Sequence, residues 1–127
     1  QEMIDHLRTR LETPYQGFPT TNMFSLPMLK EKLIPILLGI PNLIYVGLNR
    51  KVPGWEGTYH RGRPANFSIV DEYNSALECA LPNVISFKDW SLDDIQLMTE
   101  DNIHYTPRGH SEVSRRILDR LQTTLCE

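Results

Sequence analysis

Apolar positions along the chain fall into short blocks, and the spacing within each block separates helices from strands. Residues 1–24 mix charge with Gly, Pro, Thr and Asn, and only IDHLRTRL shows a helical repeat, so a helical turn followed by a loop is expected there. In PMLKEKLIPILL the apolar residues Met28, Leu29, Leu33 and Ile36 recur at helical intervals. Pro27 suits the first helical turn, where a missing N–H is harmless. Pro35 removes one helical hydrogen bond and is expected to kink or end this helix, which Gly39 and Pro41 then stop.

NLIYVG is a continuous apolar, β-rich run between turn residues, which predicts a buried, parallel strand. The polar segment LNRKVPGWEGTYHRGRPAN follows, and a loop of that length in a compact domain is either functional or disordered. Ser68, three residues before Asp71, is a reduced capping box ahead of Ile69, Val70, Tyr73, Ala76, Leu77, Ala80 and Leu81 at helical spacing. Pro82 and Asn83 close that helix, and VISF reads as a second short buried strand. At the end of the chain Thr106 can cap a helix and Pro107 can start it. Val113, Ile117, Leu118, Leu121 and Leu125 form its apolar stripe, with Arg115, Arg116, Asp119 and Arg120 on the outer face. Helix, strand, loop, helix, strand is the order of an α/β domain with crossover helices on a parallel sheet.

Composition narrows the class without adding chemistry. At 127 residues the chain has the length of one domain, and 40% hydrophobic with 23% charged residues is an ordinary globular balance. No apolar run is long enough to span a bilayer and no signal-like start is present, so a soluble protein is expected. A formal charge of −3 gives no general attraction to nucleic acid, and any basic site must be local. Cys79 and Cys126 are far apart and neither belongs to a CxxC pair. Cys79 reads as a core residue and Cys126 as part of the tail; this usage fits a reducing, cytoplasmic setting and leaves a single bridge open. The chain begins with Gln1, and a longer or processed parent is expected.

Chemistry concentrates in DNIHYTPRGH. An acid three residues before a histidine can turn back to accept the proton of one ring nitrogen, leaving the other nitrogen as a general base. The same residues also serve as turn formers before a helix, and the spacing alone leaves both roles open for Asp101 and His104. DNIHYTPRGHSEVSRRIL resembles the last signature block of the SGNH, or GDSL-type, hydrolases, in which Asp-x-x-His leads through Thr-Pro-x-Gly into the C-terminal helix. The upstream order over residues 27–125 is similar too, with NLIYVG, a variable loop, the helix containing EYNSAL, and VISF.

The resemblance implies a three-layer α/β sandwich with a parallel sheet. It implies a serine esterase or lipase-like activity with no cofactor, in which His104 is the base and Asp101 its orienting partner. The family's Gly-Asp-Ser block is absent here, and Ser25, Ser68, Ser75, Ser86, Ser91, Ser111 and Ser114 lack its strand-to-turn context. One domain over 1–127, lacking its N-terminal strands, is therefore expected, with the nucleophile supplied by the N-terminal part of the same fold. Gly47, Leu48 and Asn49 partly match the family's Gly-x-Asn-Asp block, although Arg50 replaces the acid.

The long loop supplies a second candidate. Arg50, Lys51, Arg61 and Arg63 face the single acid Glu56, with Trp55, Tyr59 and His60 interleaved. Arg50, Arg61, Arg63, Trp55 and Asn49 are the candidate substrate-binding residues, able to hold an anionic group beside a small ester. The alternative is a catalytically inactive binding module for RNA or a protein, in which the same cations and aromatics clasp a single strand. Overall acidity weighs against RNA. His60, His104 and His110 have no familiar zinc spacing, and no metal is expected.

Overall fold

Gln16 (φ 53°) and Gly17 (φ 81°) reverse the chain between strands β1 (Arg10–Tyr15) and β2 (Phe18–Thr21) in the computed structural model, which describes residues 10–21, 24–64 and 66–125. A two-residue turn with left-handed φ at both positions matches the twist of an antiparallel pair. The expected loop is therefore a hairpin. The helical turn read in IDHLRTRL falls mostly outside the described residues, and its last two residues, Arg10 and Leu11, belong to β1.

Helix α1 runs through Leu26–Met28, a π-helical turn at Leu29–Leu33, and Ile34–Leu38. The Ser25 hydroxyl caps it, accepting the Met28 N–H at 3.3 Å. Pro35 does not end the helix. The turn before it widens, and the Ile34 N–H reaches back to the Leu29 carbonyl. One extra residue in a turn rotates later positions by about 100°. Met28, Leu29 and Ile34 are buried as a result, whereas Ile36, expected on the apolar face, is 65% exposed.

Strand β3 (Tyr45–Val46) lies parallel to β4 (Val84–Ile85), with helix α2 (Ile69–Ala80) as the crossover between them. Tyr45 and Gly47 donate to the Asn83 and Ile85 carbonyls at 2.9 Å, so the Val84 and Ser86 carbonyls point away from β3. Arg120 Nη2 donates to Val84 O at 2.9 Å and Arg116 Nη1 to Ser86 O at 2.7 Å. These arginines were expected on the outer face of the last helix, α4 (Pro107–Leu125); instead they close the far edge of β4. Arg116 also pairs with Asp89 and Glu112 at 2.8 and 2.7 Å.

α2 begins without the expected cap. The Ser68 side chain makes no capping bond, and a backbone turn from Asn66 to Ser68 starts the helix instead. Asp71, the other half of the expected box, turns both oxygens to the Lys51 N–H, at 3.0 and 3.1 Å. Cys79, expected in the core, is exposed on α2, and Cys126 lies outside the described residues.

Between β4 and α4 the chain forms α3 (Leu92–Met98), a helix that the sequence reading did not contain. Ser91 and Asp94 form a full capping box at its start. Phe87, Trp90, Ile95 and Ile85 form the buried cluster, onto which Val46, Val52, Trp55, Tyr105, Val113 and Ile117 pack. Phe87 and Trp90 meet at 4.9 Å in a tilted aromatic pair. The architecture is thus mixed α/β, with one parallel strand pair and one hairpin among the described residues. No helix among them is long and apolar enough to cross a membrane.

α4 starts as its sequence predicts. Thr106 Oγ1 accepts the Gly109 N–H at 3.1 Å, and Pro107 occupies the first turn. At Gly109 a Cβ would lie 2.0 Å from the Met98 carbonyl oxygen, so only glycine lets α3 and α4 approach this closely. Gly109→Ala is expected to cost about 2–3 kcal/mol in urea unfolding. An unchanged midpoint would contradict that close approach.

Candidate functional site

The link from α3 to α4 is short, and its polar atoms are almost fully used. Thr99 and Tyr105 form an isolated antiparallel bridge, and the Glu100 N–H bonds the His104 carbonyl at 2.8 Å, closing a tight loop over residues 100–104. Asp101 sits inside it, 4% exposed. Its Oδ1 accepts the Ile103 and His104 N–H groups at 3.1 and 2.8 Å, the work of a turn former. Its Oδ2 lies 2.7 Å from His104 Nδ1. One carboxylate therefore both shapes the turn and contacts the ring.

The His104 side chain is 72% exposed beyond that anchored nitrogen. Bonding at Nδ1 fixes the ring and leaves Nε2 available to solvent or a ligand. On its other side, Asp101 Oδ2 meets Arg63 Nη2 at 3.2 Å, and the same nitrogen donates to the Asp101 carbonyl at 2.6 Å. The Arg63 guanidinium lies between the Tyr59 ring, at 3.6 Å, and the Phe67 ring, at 4.8 Å. Tyr59 in turn hydrogen-bonds the Tyr15 hydroxyl of the hairpin.

A second layer of buried polar groups holds this loop against the long one. Asn102 is in the left-handed region (φ 73°), which asparagine tolerates better than most residues. Its Oδ1 accepts the Val52 N–H at 3.2 Å, and its Nδ2 donates to the Val52 and Trp55 carbonyls at 3.0 and 3.2 Å. Lys51 Nζ donates to the Asn49 and Asn102 carbonyls, both at 3.2 Å. Burial pushes the Lys51 ammonium down, with Asp71 acting in the opposite direction. Thr58 N–H bonds the Glu100 carbonyl at 2.8 Å, and at Gly57 (φ 53°) a Cβ would sit 1.9 Å from that same oxygen.

Of the candidate substrate-binding residues, Trp55 and Arg63 border one cavity, and the others lie apart from it. Asn49 is 1% exposed, and its Nδ2 is committed to the Arg50 and Asn102 carbonyls at 3.0 and 3.1 Å. Arg63 is half-buried against Asp101, Trp55 is half-buried on the core, and Arg50 and Arg61 are exposed. Among the described residues no three His, Cys, Asp or Glu side chains group as metal ligands. His60 and His110 are exposed, and His110 packs edge-on against Tyr105 at 5.6 Å.

Phe67 and Asn102 support the site but were not singled out, and Lys51 and Tyr59 were read only as part of the basic, aromatic loop, because the roles of all four depend on partners distant in sequence. Comparison with protein-family models, with curated proteins and with solved structures found no match to this chain.

Burial pushes the Asp101 carboxyl up, but the His104 backbone N–H, the His104 ring and the Ile103 N–H outweigh it and bring it to about 2, from an ordinary 3.8. A carboxylate depressed on folding stabilises the protein fully above its unfolded value, and the contribution is lost as pH falls toward the folded one. The displacement corresponds to about 2 kcal/mol. Asp101→Asn is expected to lose that amount at neutral pH, with the gap from the parent closing between about pH 4 and pH 2. A gap independent of pH, read by urea unfolding across this range, would show that the charge is not what stabilises the turn.

Proposed function

We propose that this chain supplies the acid–base half of an ester hydrolase of the SGNH type, as part of a three-layer α/β sandwich completed by an N-terminal portion that carries the nucleophilic serine. The observation that carries the reading is the 2.7 Å contact from buried Asp101 Oδ2 to His104 Nδ1, on a ring that is otherwise open. In that arrangement Nε2 takes the proton of a serine hydroxyl as Oγ bonds the ester carbonyl carbon, and returns it to the departing alkoxide. Water then repeats the sequence to release the acid. Asp101 holds the ring in the tautomer that makes Nε2 the base and offsets the charge of the imidazolium.

Three serines within the chain have other work. Ser86 Oγ bonds Glu78 at 3.0 Å, Ser91 Oγ bonds Asp94 at 2.7 Å and Ser111 Oγ bonds the Pro107 carbonyl at 3.0 Å. The proposal therefore places the nucleophile on the N-terminal portion that it invokes. Exposed Arg50 and Arg61 remain available for the polar end of a small ester. RNA binding draws less support, because Lys51 and Arg63, two of the four loop cations, are bonded inside the protein.

Fluorophosphonate labelling of the protein from its native source tests this reading. Labelling is expected on a serine outside residues 1–127, with His104→Ala slowing it by roughly 10³-fold or more and Asp101→Asn by roughly 10³–10⁴-fold. Equal labelling of the His104→Ala variant, or none in the parent, would remove the hydrolase reading.

A further inference from the structure

The Arg63 side chain is 13% exposed, and among the described residues its ion pair and its hydrogen bond both go to Asp101. Nη2 stands 3.2 Å from Asp101 Oδ2 and donates to the Asp101 carbonyl at 2.6 Å. The Tyr59 and Phe67 rings, at 3.6 and 4.8 Å from the guanidinium carbon, fix the group in place. A guanidinium keeps its charge throughout the range in which histidine titrates. Asp101 Oδ2 is therefore shared between the His104 ring, with Nδ1 at 2.7 Å, and a permanent cation. Because both contacts end on one oxygen, the guanidinium lies within about 6 Å of the ring, close enough for one charge to bias the protonation of another group.

We propose that Arg63 is the positioning residue of the acid–base pair: it holds the Asp101 carboxylate against His104 and offsets its charge, so that the ring stays neutral and able to accept a proton. This rests on the acid–base reading of Asp101 and His104, and it moves Arg63 from holding a substrate to restraining the carboxylate behind the base. An acid beside a histidine has two opposed effects. It fixes the ring, which helps a base, and it stabilises the imidazolium, which keeps the base protonated. A cation on the far side of Oδ2 reduces the second effect and leaves the first in place. Other charges nearby do not replace it. Lys51 is bonded to the Asn49 and Asn102 carbonyls, and its ammonium feels Asp71 more than Asp101. Glu56 of the long loop, Glu100 beside Asp101, and Arg108 and His110 of α4 are exposed.

Carbethoxylation of His104 by diethyl pyrocarbonate, read by peptide mass across about pH 5 to 8, tests the assignment on this chain alone, since the reagent takes the neutral ring. Arg63→Gln keeps a donor for the Asp101 carbonyl and loses the charge. Its His104 profile is expected to move to higher pH by about one unit, a roughly tenfold slower reaction on the acid limb. Arg63→Lys restores the charge and is expected to return the profile toward that of the parent, while exposed His60 and His110 keep theirs in every protein. Arg63→Met, which refills the space between the two rings, is a second neutral variant and is expected to match Arg63→Gln. A profile that stays put or moves to lower pH in the neutral variants, or an equal shift in Arg63→Lys, would overturn the assignment. So would failure of both neutral variants to fold, read by circular dichroism, which would make Arg63 a structural clamp. Absent fluorophosphonate labelling with the Arg63 shift intact would remove the hydrolase reading and leave this one standing.

Discussion

The clamp made by Asn49, Lys51 and Asn102 is the constraint on which the rest of the site depends. These three buried polar side chains join the loop after β3 to the loop before α4 through bonds between residues some fifty positions apart in sequence. Asn102 offers both an acceptor and donors to the Val52 backbone, taking the place of a neighbouring strand. Without that clamp, polar backbone at the end of a very short parallel strand pair would be left unpaired. Inside the protein such bonds are strong together and expensive to break singly, which favours one geometry over many.

Asp101 lies next to Asn102 in the chain, so the clamp also fixes where the carboxylate stands. The two faces of the long loop then acquire different characters. One presents Arg63 to Asp101 and, beyond it, the open His104 ring. The other encloses the apolar cavity beside Lys51. Glu78 plays a comparable part below: it accepts from Ser86 at 3.0 Å and from Asn74 at 2.9 Å, and Asn74 in turn accepts from Tyr45 and Leu48 at 2.9 and 3.0 Å, which ties α2 to both strands. At Gly47 a Cβ would come within 2.3 Å of Glu78 Oε1, so a larger residue at the end of β3 would displace the Glu78 side chain.

What the sequence revealed was the chemistry that acts over a few residues. Thr106, Pro107 and Gly109 announce a helix start because capping and close packing are local, and the Asp101–His104 contact spans only three positions. The parallel pairing of NLIYVG with VISF was legible from composition and order, although the strands are shorter than the runs. Long-range bonding hid the rest. Ser68 and Asp71 satisfy the pattern of a cap, yet Asp71 finds the Lys51 N–H, twenty residues away in sequence. Arg116 and Arg120 look solvent-facing on a helical wheel until the carbonyls of β4 supply acceptors. α3 carried its own signal in Ser91 and Asp94, and a search for capping boxes alone would have found it.

The central claim is that a buried carboxylate holds His104 with Nδ1 protonated and Nε2 free to act as base. Two-bond ¹⁵N–¹H correlation of the His104 ring in its neutral form tests it directly, with the Asp101→Asn protein alongside. The account requires the Nδ1–H tautomer in the parent and a shift toward Nε2–H in the variant. An Nε2–H tautomer in the parent, or the same tautomer mixture in both proteins, would contradict it.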